Sequence, residues 1–523
     1  MPAWTRTATM VLAVALLAAL LVAPNHPDAL RPAALLAFPL ELPTLVLLLL
    51  IFPGRALRAV VAAILTAMTA LRLADLAAFT AYARPFNPAL DMGLVPASWR
   101  LLSGTVGPPA ALAVALALVA ALALVAAAIW WATGRIARAA PTRRAPLALL
   151  LVPAVAVALL DASGRADPPG AAQTARLAYE HSRDAIAGRA GLARFRAEAA
   201  RDPEVGRPQF GALAGTDIFV VFVESYGRSA LDNPRYAPTI TATLERAEGA
   251  LTAAGLATRS AFLTAPMVGG QSWLAHGSLL SGLRLDTDAR YRALIESPRK
   301  SLTHFAKAAG WHVVAVMPAI TLAWPEADYF GYDRILAAAD LGYRGQPFNW
   351  VTMPDQFTLA AFEKLALTEP RPPVFAEIAL ISSHAPWTPI PPLLPWDTLG
   401  DGHVFDAAAT AGDAPEIVWR DQDRVRDQYR LALDYSLATV AAFAERRAAT
   451  RPLIVVLGDH QPASFVSEDP TGREVPVHII GAPEVLARLD GWHWTRGLVP
   501  APDAPIWPME AFRDRFLDAS ARD

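Results

Sequence analysis

The chain has 523 residues, 54 % hydrophobic and 18 % charged, with a formal net charge of −2 and no cysteine. That length exceeds one ordinary domain, and the near-neutral charge argues against a nucleic-acid partner. The lack of cysteine excludes disulfides, thiolate metal sites and cysteine nucleophiles.

Five apolar runs open the chain, at about 8–24, 34–53, 57–82, 109–132 and 145–161. Each is near or above the roughly 20 residues a helix needs to cross a bilayer core. The sequence therefore predicts an α-helical anchor of five transmembrane helices over residues 1–163. A signal peptide is the other reading of the first run, but four further spans follow it closely. Arg55 and Arg58 lie between spans two and three, and Arg135, Arg138, Arg143 and Arg144 between spans four and five. The positive-inside rule puts both loops and the N-terminus in the cytoplasm. Everything after residue 162 is then delivered to the periplasmic, extracytoplasmic face of a bacterial inner membrane. Arg72 and Asp75, in span three, read as an internally satisfied pair near the outer interface. Residues 164–213 form a linker, of which 171–200 reads as an amphipathic helix near the interface.

From residue 217 short apolar runs alternate with helical patterns. "DIFVVFVESYG" (217–227), "WHVVAVMPA" (311–319), "VFAEIALISSHAPW" (374–387) and "PLIVVLGDHQP" (452–462) read as buried parallel strands. Residues 214–523 are expected to form an α/β domain around a mostly parallel sheet. Glu224, His384 and the pair Asp459–His460 fall at strand carboxyl ends, where such sheets bind their ligands. Two carboxylates and an imidazole make an O,O,N site suited to Mn²⁺, Zn²⁺ or Mg²⁺. Ser272 follows two glycines and opens a helix in "GGQSWLAHGSLLSG". That position suits an N-cap, and equally a nucleophile whose alkoxide is stabilised by a cation and whose substrate phosphate meets a helix N-terminus. His276, one turn further on, could face the same site. His478 reads as a strand core residue and Asp355 as a helix cap.

"SWLAHGSLLSG" is similar to the sulfatase signature C-x-P-S-R-x-x-L-x-T-G, with Ser272 at the nucleophile position. "LGDHQP" resembles the aspartate–histidine metal motif of the alkaline phosphatase superfamily, and "FVVFVESYG" its first strand. That strand has the Glu-Ser form of the lipoteichoic acid synthases and related phosphoglycerol transferases. "SSHAPW" resembles the histidine motif that holds the substrate phosphate in these enzymes. The resemblance implies an alkaline-phosphatase-like domain behind five membrane helices. It implies one divalent metal, Mn²⁺ first and Zn²⁺ or Mg²⁺ as alternatives, held by Glu224, Ser272, Asp459 and His460. Ser272 would be the nucleophile, His384 would contact the phosphate or protonate the leaving group, and His276 would stand in place of the sulfatase arginine.

The departures narrow the chemistry. Leu274 and His276 replace the proline and arginine that guide formylglycine formation, which argues against a true sulfatase. In "LAWPEADYFGYDR" (322–334), Trp324 matches a family tryptophan, but Glu326 falls near the place of a headgroup-binding arginine. The expected reaction moves a phospho-headgroup, phosphoglycerol from phosphatidylglycerol in the first instance, through Ser272 to an envelope glycan or lipid. Phosphoethanolamine transfer, phosphate or sulfate ester hydrolysis, and a non-catalytic scaffold are the alternatives.

Overall fold

The computed structural model describes residues 2–31, 37–82, 84–164, 170–469 and 471–521, and it divides into two compact units, Met1–Ala193 and Arg194–Asp523.

The first unit is helical: α1 (Ala3–Val22), α2 (Glu41–Ile51), α3 (Arg55–Tyr82), α4 (Leu94–Val106), α5 (Pro108–Ala137), α6 (Ala145–Ala162) and α7 (Gln173–Ala199). Among the described residues α1, α3, α5 and α6 are long and apolar enough to cross a membrane. The expectation of five such helices is corrected at the second run. There only the 11 residues of α2 are helical, and their rise of about 16 Å falls short of a hydrocarbon core of about 30 Å. Residues 34–36 of that run lie outside the described residues. Each end of α2 is held by a hydrogen bond to another segment. The Glu41 carboxylate accepts from the Ala175 amide at 2.9 Å, whereas the Ile51 carbonyl accepts from Arg144 at 3.2 Å. The loop arginines tie helix ends together, Arg58 donating to the Trp130 carbonyl at 2.9 Å.

Arg72 and Asp75 are both buried, as expected of satisfied intramembrane charges, but through separate partners. Arg72 donates to the Leu21 carbonyl at 3.0 Å and to Thr174 Oγ1 at 2.6 Å, closing the C-terminal end of α1. Asp75 accepts from Asn25 at 2.8 Å and the Phe86 amide at 3.0 Å, and lies 2.9 Å from His181 Nε2. A carboxylate and a guanidinium in a low-dielectric layer are tolerated only with such complete hydrogen bonding.

Among the described residues the second unit has nine strands: β1 (Ile218–Val223), β2 (Ala257–Thr264), β3 (His312–Met317), β4 (Arg334–Ala337), β5 (Val374–Leu380), β6 (Leu453–Gly458), β7 (Glu474–Gly481), β8 (Thr495–Arg496) and β9 (Ile506–Pro508). The sheet order is β4-β3-β5-β1-β6-β7-β2-β8, with β9 beside β2. The path from β4 to β6 is parallel, and β7, β2 and β8 add antiparallel pairs. Every residue of β1 is buried, because helices cover both faces of a parallel sheet. That coverage explains why the four motif-bearing segments are continuous apolar runs and do not alternate.

His478 lies in β7, 2 % exposed, as expected of a core residue. Its Nε2 is 3.0 Å from the Tyr226 hydroxyl, and its Nδ1 has no close hydrogen-bond partner among the described residues. Burial pushes its pKa down to about 4 from an ordinary 6.5. The folded state thus binds fewer protons here than the unfolded chain. Stability from this site is complete above pH 6.5 and is lost as pH falls from there towards 4, on the order of 3 kcal/mol in all. Thermal unfolding should show Tm dropping across that window, with a shallower slope in His478→Gln. An identical slope in the variant would exclude His478 as the source.

Candidate active site

The register of three neighbouring strands brings the predicted residues together. β1 lies between β5 and β6, with Val223 opposite both Leu380 and Gly458. The next residue on β1 is Glu224 and the next on β6 is Asp459, so two carboxylates emerge side by side. His460 follows directly, and the turn after β5 carries His384. Gly458 is required by this crossing: a Cβ there would lie 1.8 Å from the Tyr226 carbonyl oxygen. The turn out of β1 is strained, with Ser225 in the left-handed region at φ 57°. Its amide is held by Asp459 Oδ1 at 2.8 Å.

Glu224, Asp459 and His460 are buried and place one ligand atom each within 4.8 Å of one another. Asp459 Oδ1 accepts from the amides of Ser225 and His460, while its buried Oδ2 has no hydrogen-bond partner among the described residues and lies 3.6 Å from His460 Nε2. An orphaned carboxylate oxygen facing a second carboxylate is costly unless a cation joins them. His460 Nδ1 is 2.8 Å from the Gln461 carbonyl. That oxygen can only accept, so it fixes the proton on Nδ1 and turns the Nε2 lone pair to the cluster, the tautomer a metal ligand needs. The donor set fits one divalent cation.

Without the cation the cluster is electrostatically tense. Burial, and next the Glu224 carboxylate, push Asp459 up to about 7. Burial raises Glu224, but His384 and His460 outweigh it and hold this carboxyl well below the usual range. Burial lowers His460, but Asp459 and Glu224 together lift it to about 9.

Ser272 joins the cluster from another direction. The helix Ser272–Ser281 follows Gly269 and Gly270, both at positive φ, and Gln271 at φ 66°. The glycines make this entry accessible to the chain. Gln271 is the N-cap and Ser272 the first helical residue, and the Ser272 hydroxyl makes its hydrogen bonds outside the helix. Its Oγ donates to Glu224 Oε2 at 2.9 Å and lies 3.3 Å from His460 Nε2. The capping role allowed from the sequence is therefore corrected: the hydroxyl is turned away from its own helix and into the metal-type cluster.

His384 lines the same cavity, its Nδ1 2.8 Å from the Ala385 carbonyl, which leaves Nε2 available. His276 is brought in too, stacked on Phe222 with ring centroids 3.7 Å apart. Its Nδ1 is 2.8 Å from Glu377 Oε1.

Asp355 is not the cap it resembled. Pro354 precedes its helix, Asp355–Ala366, and the Asp355 carboxylate instead accepts from the Ile381 and Ser382 amides at 2.8 and 2.9 Å and from Ser436 Oγ at 2.7 Å. It clamps the turn leading to His384. Asp355→Ala would strand these buried donors and should cost about 2–3 kcal/mol. A Tm equal to that of the parent chain would contradict the clamp.

Two cavity residues escaped the sequence reading. Glu377 is 2 % exposed in mid-β5, bonded to His276 and to the Tyr332 hydroxyl. A lone acid inside the apolar run "VFAEIAL" was the available signal. Gln271 is buried with neither amide atom partnered and lines the cavity beside Ser272. No residue pattern announced it, since its burial follows from the turn geometry.

No protein-family model and no curated protein matches this chain. Solved structures do. The lipoteichoic acid synthase LtaP from Listeria monocytogenes matches at 11 % identity, over 64 % of this chain and 78 % of that one, with a TM-score of 0.38. The Streptococcus pyogenes phosphoglycerol transferase GacH, in complex with sn-glycerol-1-phosphate, matches at 13 % identity, over 64 % and 81 %, with a TM-score of 0.40. A member of the alkaline phosphatase superfamily from Vibrio parahaemolyticus matches at 15 % identity, over 56 % and 68 %, with a TM-score of 0.34. Likeness at this level assigns no reaction, and the chemistry has to come from the site itself.

Proposed function

We propose that this protein is a membrane-anchored, metal-dependent transferase that moves a phospho-headgroup through a covalent Ser272 intermediate. One observation carries the reading: a serine hydroxyl at a helix N-terminus is directed at a buried O,O,N cluster whose donors fit one divalent cation. Glu224, Asp459, His460 and Ser272 would hold the metal, Mn²⁺ as first choice with Zn²⁺ or Mg²⁺ as alternatives. The bound cation lowers the cost of the serine alkoxide and of charge on the phosphoryl oxygens.

The protein's own groups then account for the protons and bonds. Ser272 surrenders its proton along its hydrogen bond to Glu224 Oε2, and Oγ attacks phosphorus. The Oγ–P bond forms and the bond from phosphorus to the diacylglycerol oxygen breaks. In its imidazolium form His384 gives that oxygen its Nε2 proton, the other ring nitrogen remaining bonded to the Ala385 carbonyl. In the second half an acceptor hydroxyl returns a proton to His384 as its oxygen attacks phosphorus, and Ser272 regains its own. The Gln271 amide, unpartnered beside Ser272, is suited to a phosphoryl oxygen. Water in place of the acceptor would make the same site an ester hydrolase.

A bilayer phospholipid as donor accounts for the apolar helices, which would keep the site beside its substrate at the periplasmic face of the inner membrane. The acceptor would be an envelope glycan or lipid. The test is intact-protein mass spectrometry of the full chain with Mn²⁺ and mixed phospholipids, without acceptor. A headgroup adduct on the parent chain and none on Ser272→Ala supports the reading. No adduct together with no diacylglycerol release overturns it.

A further inference from the structure

The headgroup class can be inferred from the walls of the cavity beside Ser272. This cavity, about 290 Å³, has Trp324, Phe330, Tyr291 and Phe222 among its walls and the half-exposed Trp273 and Trp350 at its rim. Among the described residues no lysine or arginine lines it, whereas Glu377 stands in its lining besides the metal-type carboxylates Glu224 and Asp459. The aromatic wall is a connected cluster: the Trp324 ring lies 6.0 Å from Tyr332 and 6.4 Å from Phe330, and Phe330 stacks on Tyr332 at 5.7 Å. Both oxygens of Glu377 are already engaged, one with His276 Nδ1 and the other with the Tyr332 hydroxyl.

These features sort the candidate headgroups by chemistry. A glycerol group would bring hydroxyls that need partners to walls that are mostly ring and aliphatic carbon, and unpaired buried hydroxyls are penalised. A primary ammonium wants several acceptors, and the cavity carboxylate away from the metal ligands is already shared between two donors. A quaternary ammonium has no N–H to satisfy. It is a broad cation attracted by aromatic quadrupoles, and a carboxylate behind the rings adds to the field. The absence of lysine and arginine removes the repulsion it would otherwise meet.

We infer that the cavity takes a quaternary ammonium headgroup, of the kind carried by phosphocholine esters, with Trp324 and Glu377 as its specificity-determining residues. This rests on the reading of Ser272 as the phosphoryl acceptor, and the two can fail separately. The full chain carrying Ser272→Ala, in detergent with Mn²⁺, would be titrated calorimetrically with phosphocholine, phosphoethanolamine, glycerol 1-phosphate and inorganic phosphate. Phosphocholine should bind about tenfold tighter than either other ester. Trp324→Leu and Glu377→Gln should each remove most of that preference while leaving inorganic phosphate affinity unchanged. Equal or tighter binding of the glycerol or ethanolamine ester overturns the inference.

The parent chain would then be offered phosphatidylcholine bilayers, or a water-soluble phosphocholine ester in bilayers lacking choline lipid. A phosphocholine adduct on Ser272 in either arm supports the inference, and the productive arm identifies the source. A glycerol or ethanolamine adduct from mixed lipids overturns the pocket assignment and leaves Ser272 transfer standing. Selective phosphocholine binding without any adduct does the reverse.

Discussion

Ser272→Ala should abolish turnover, lowering kcat by at least about 10⁴-fold, while leaving the fold intact. The size follows from the absence of a substitute. The neighbouring hydroxyl, Ser225 Oγ, is committed to Glu224 Oε1 at 3.0 Å from a strained turn and does not stand at a helix N-terminus. Ser225→Ala should therefore still form the phospho-adduct, which makes it the control. The stability half of the prediction separates nucleophile from cap. Losing an N-cap hydroxyl costs about 1 kcal/mol, but the Ser272 hydroxyl bonds the cluster and not its own helix. The Tm of Ser272→Ala should stay within the small range of a surface change. Residual activity near the parental level would remove Ser272 from the chemistry, and a clear drop in Tm would restore the cap.

Asp459→Asn should produce opposite changes in two measurements. Metal-free, the variant should be more stable than the parent chain by roughly 1–3 kcal/mol, because it neutralises one of two adjoining buried carboxylates. The backbone bonds to Oδ1 from Ser225 and His460 survive in the amide. With metal the order should invert. The orphaned Oδ2 becomes an amide group that cannot serve as an anionic ligand, so Mn²⁺ should raise the parent Tm and leave the variant almost unmoved. Activity should fall with metal affinity, and chelator treatment of the parent chain should reproduce the loss reversibly. If Mn²⁺ stabilised parent and variant equally, Asp459 would not be a ligand. If the metal-free variant were the less stable, the tension ascribed to the carboxylate pair would be absent.

Much of the site was legible because strand ends are legible. A buried parallel strand is a continuous apolar run, and the first polar residue after it marks the end of the sheet where ligands bind. Glu224 and Asp459 carry that mark, His460 and His384 lie within two residues of such a position, and the structure brings the four together with Ser272 and His276. The second apolar run was overread, since hydropathy registers composition and not how many of its residues are helical. Asp355 was misread because a cap and a long-range clamp share one local signature, an acid at a helix start. Glu377 and Gln271 were passed over because their roles come from partners, or missing partners, far away in the chain.

By itself the sequence determined the periodicity of its elements, the apolar helices ahead of an α/β domain, and the identity of the residues at the strand ends. Those depend on local composition and on side-chain spacing along the chain. Only the tertiary structure decided which strand ends are neighbours, that the Ser272 hydroxyl points into the cluster, and that aromatic rings and the buried Glu377 wall the cavity beside it. Adjacency in a parallel sheet is set by crossover connections and packing between residues hundreds of positions apart, and no local pattern records it.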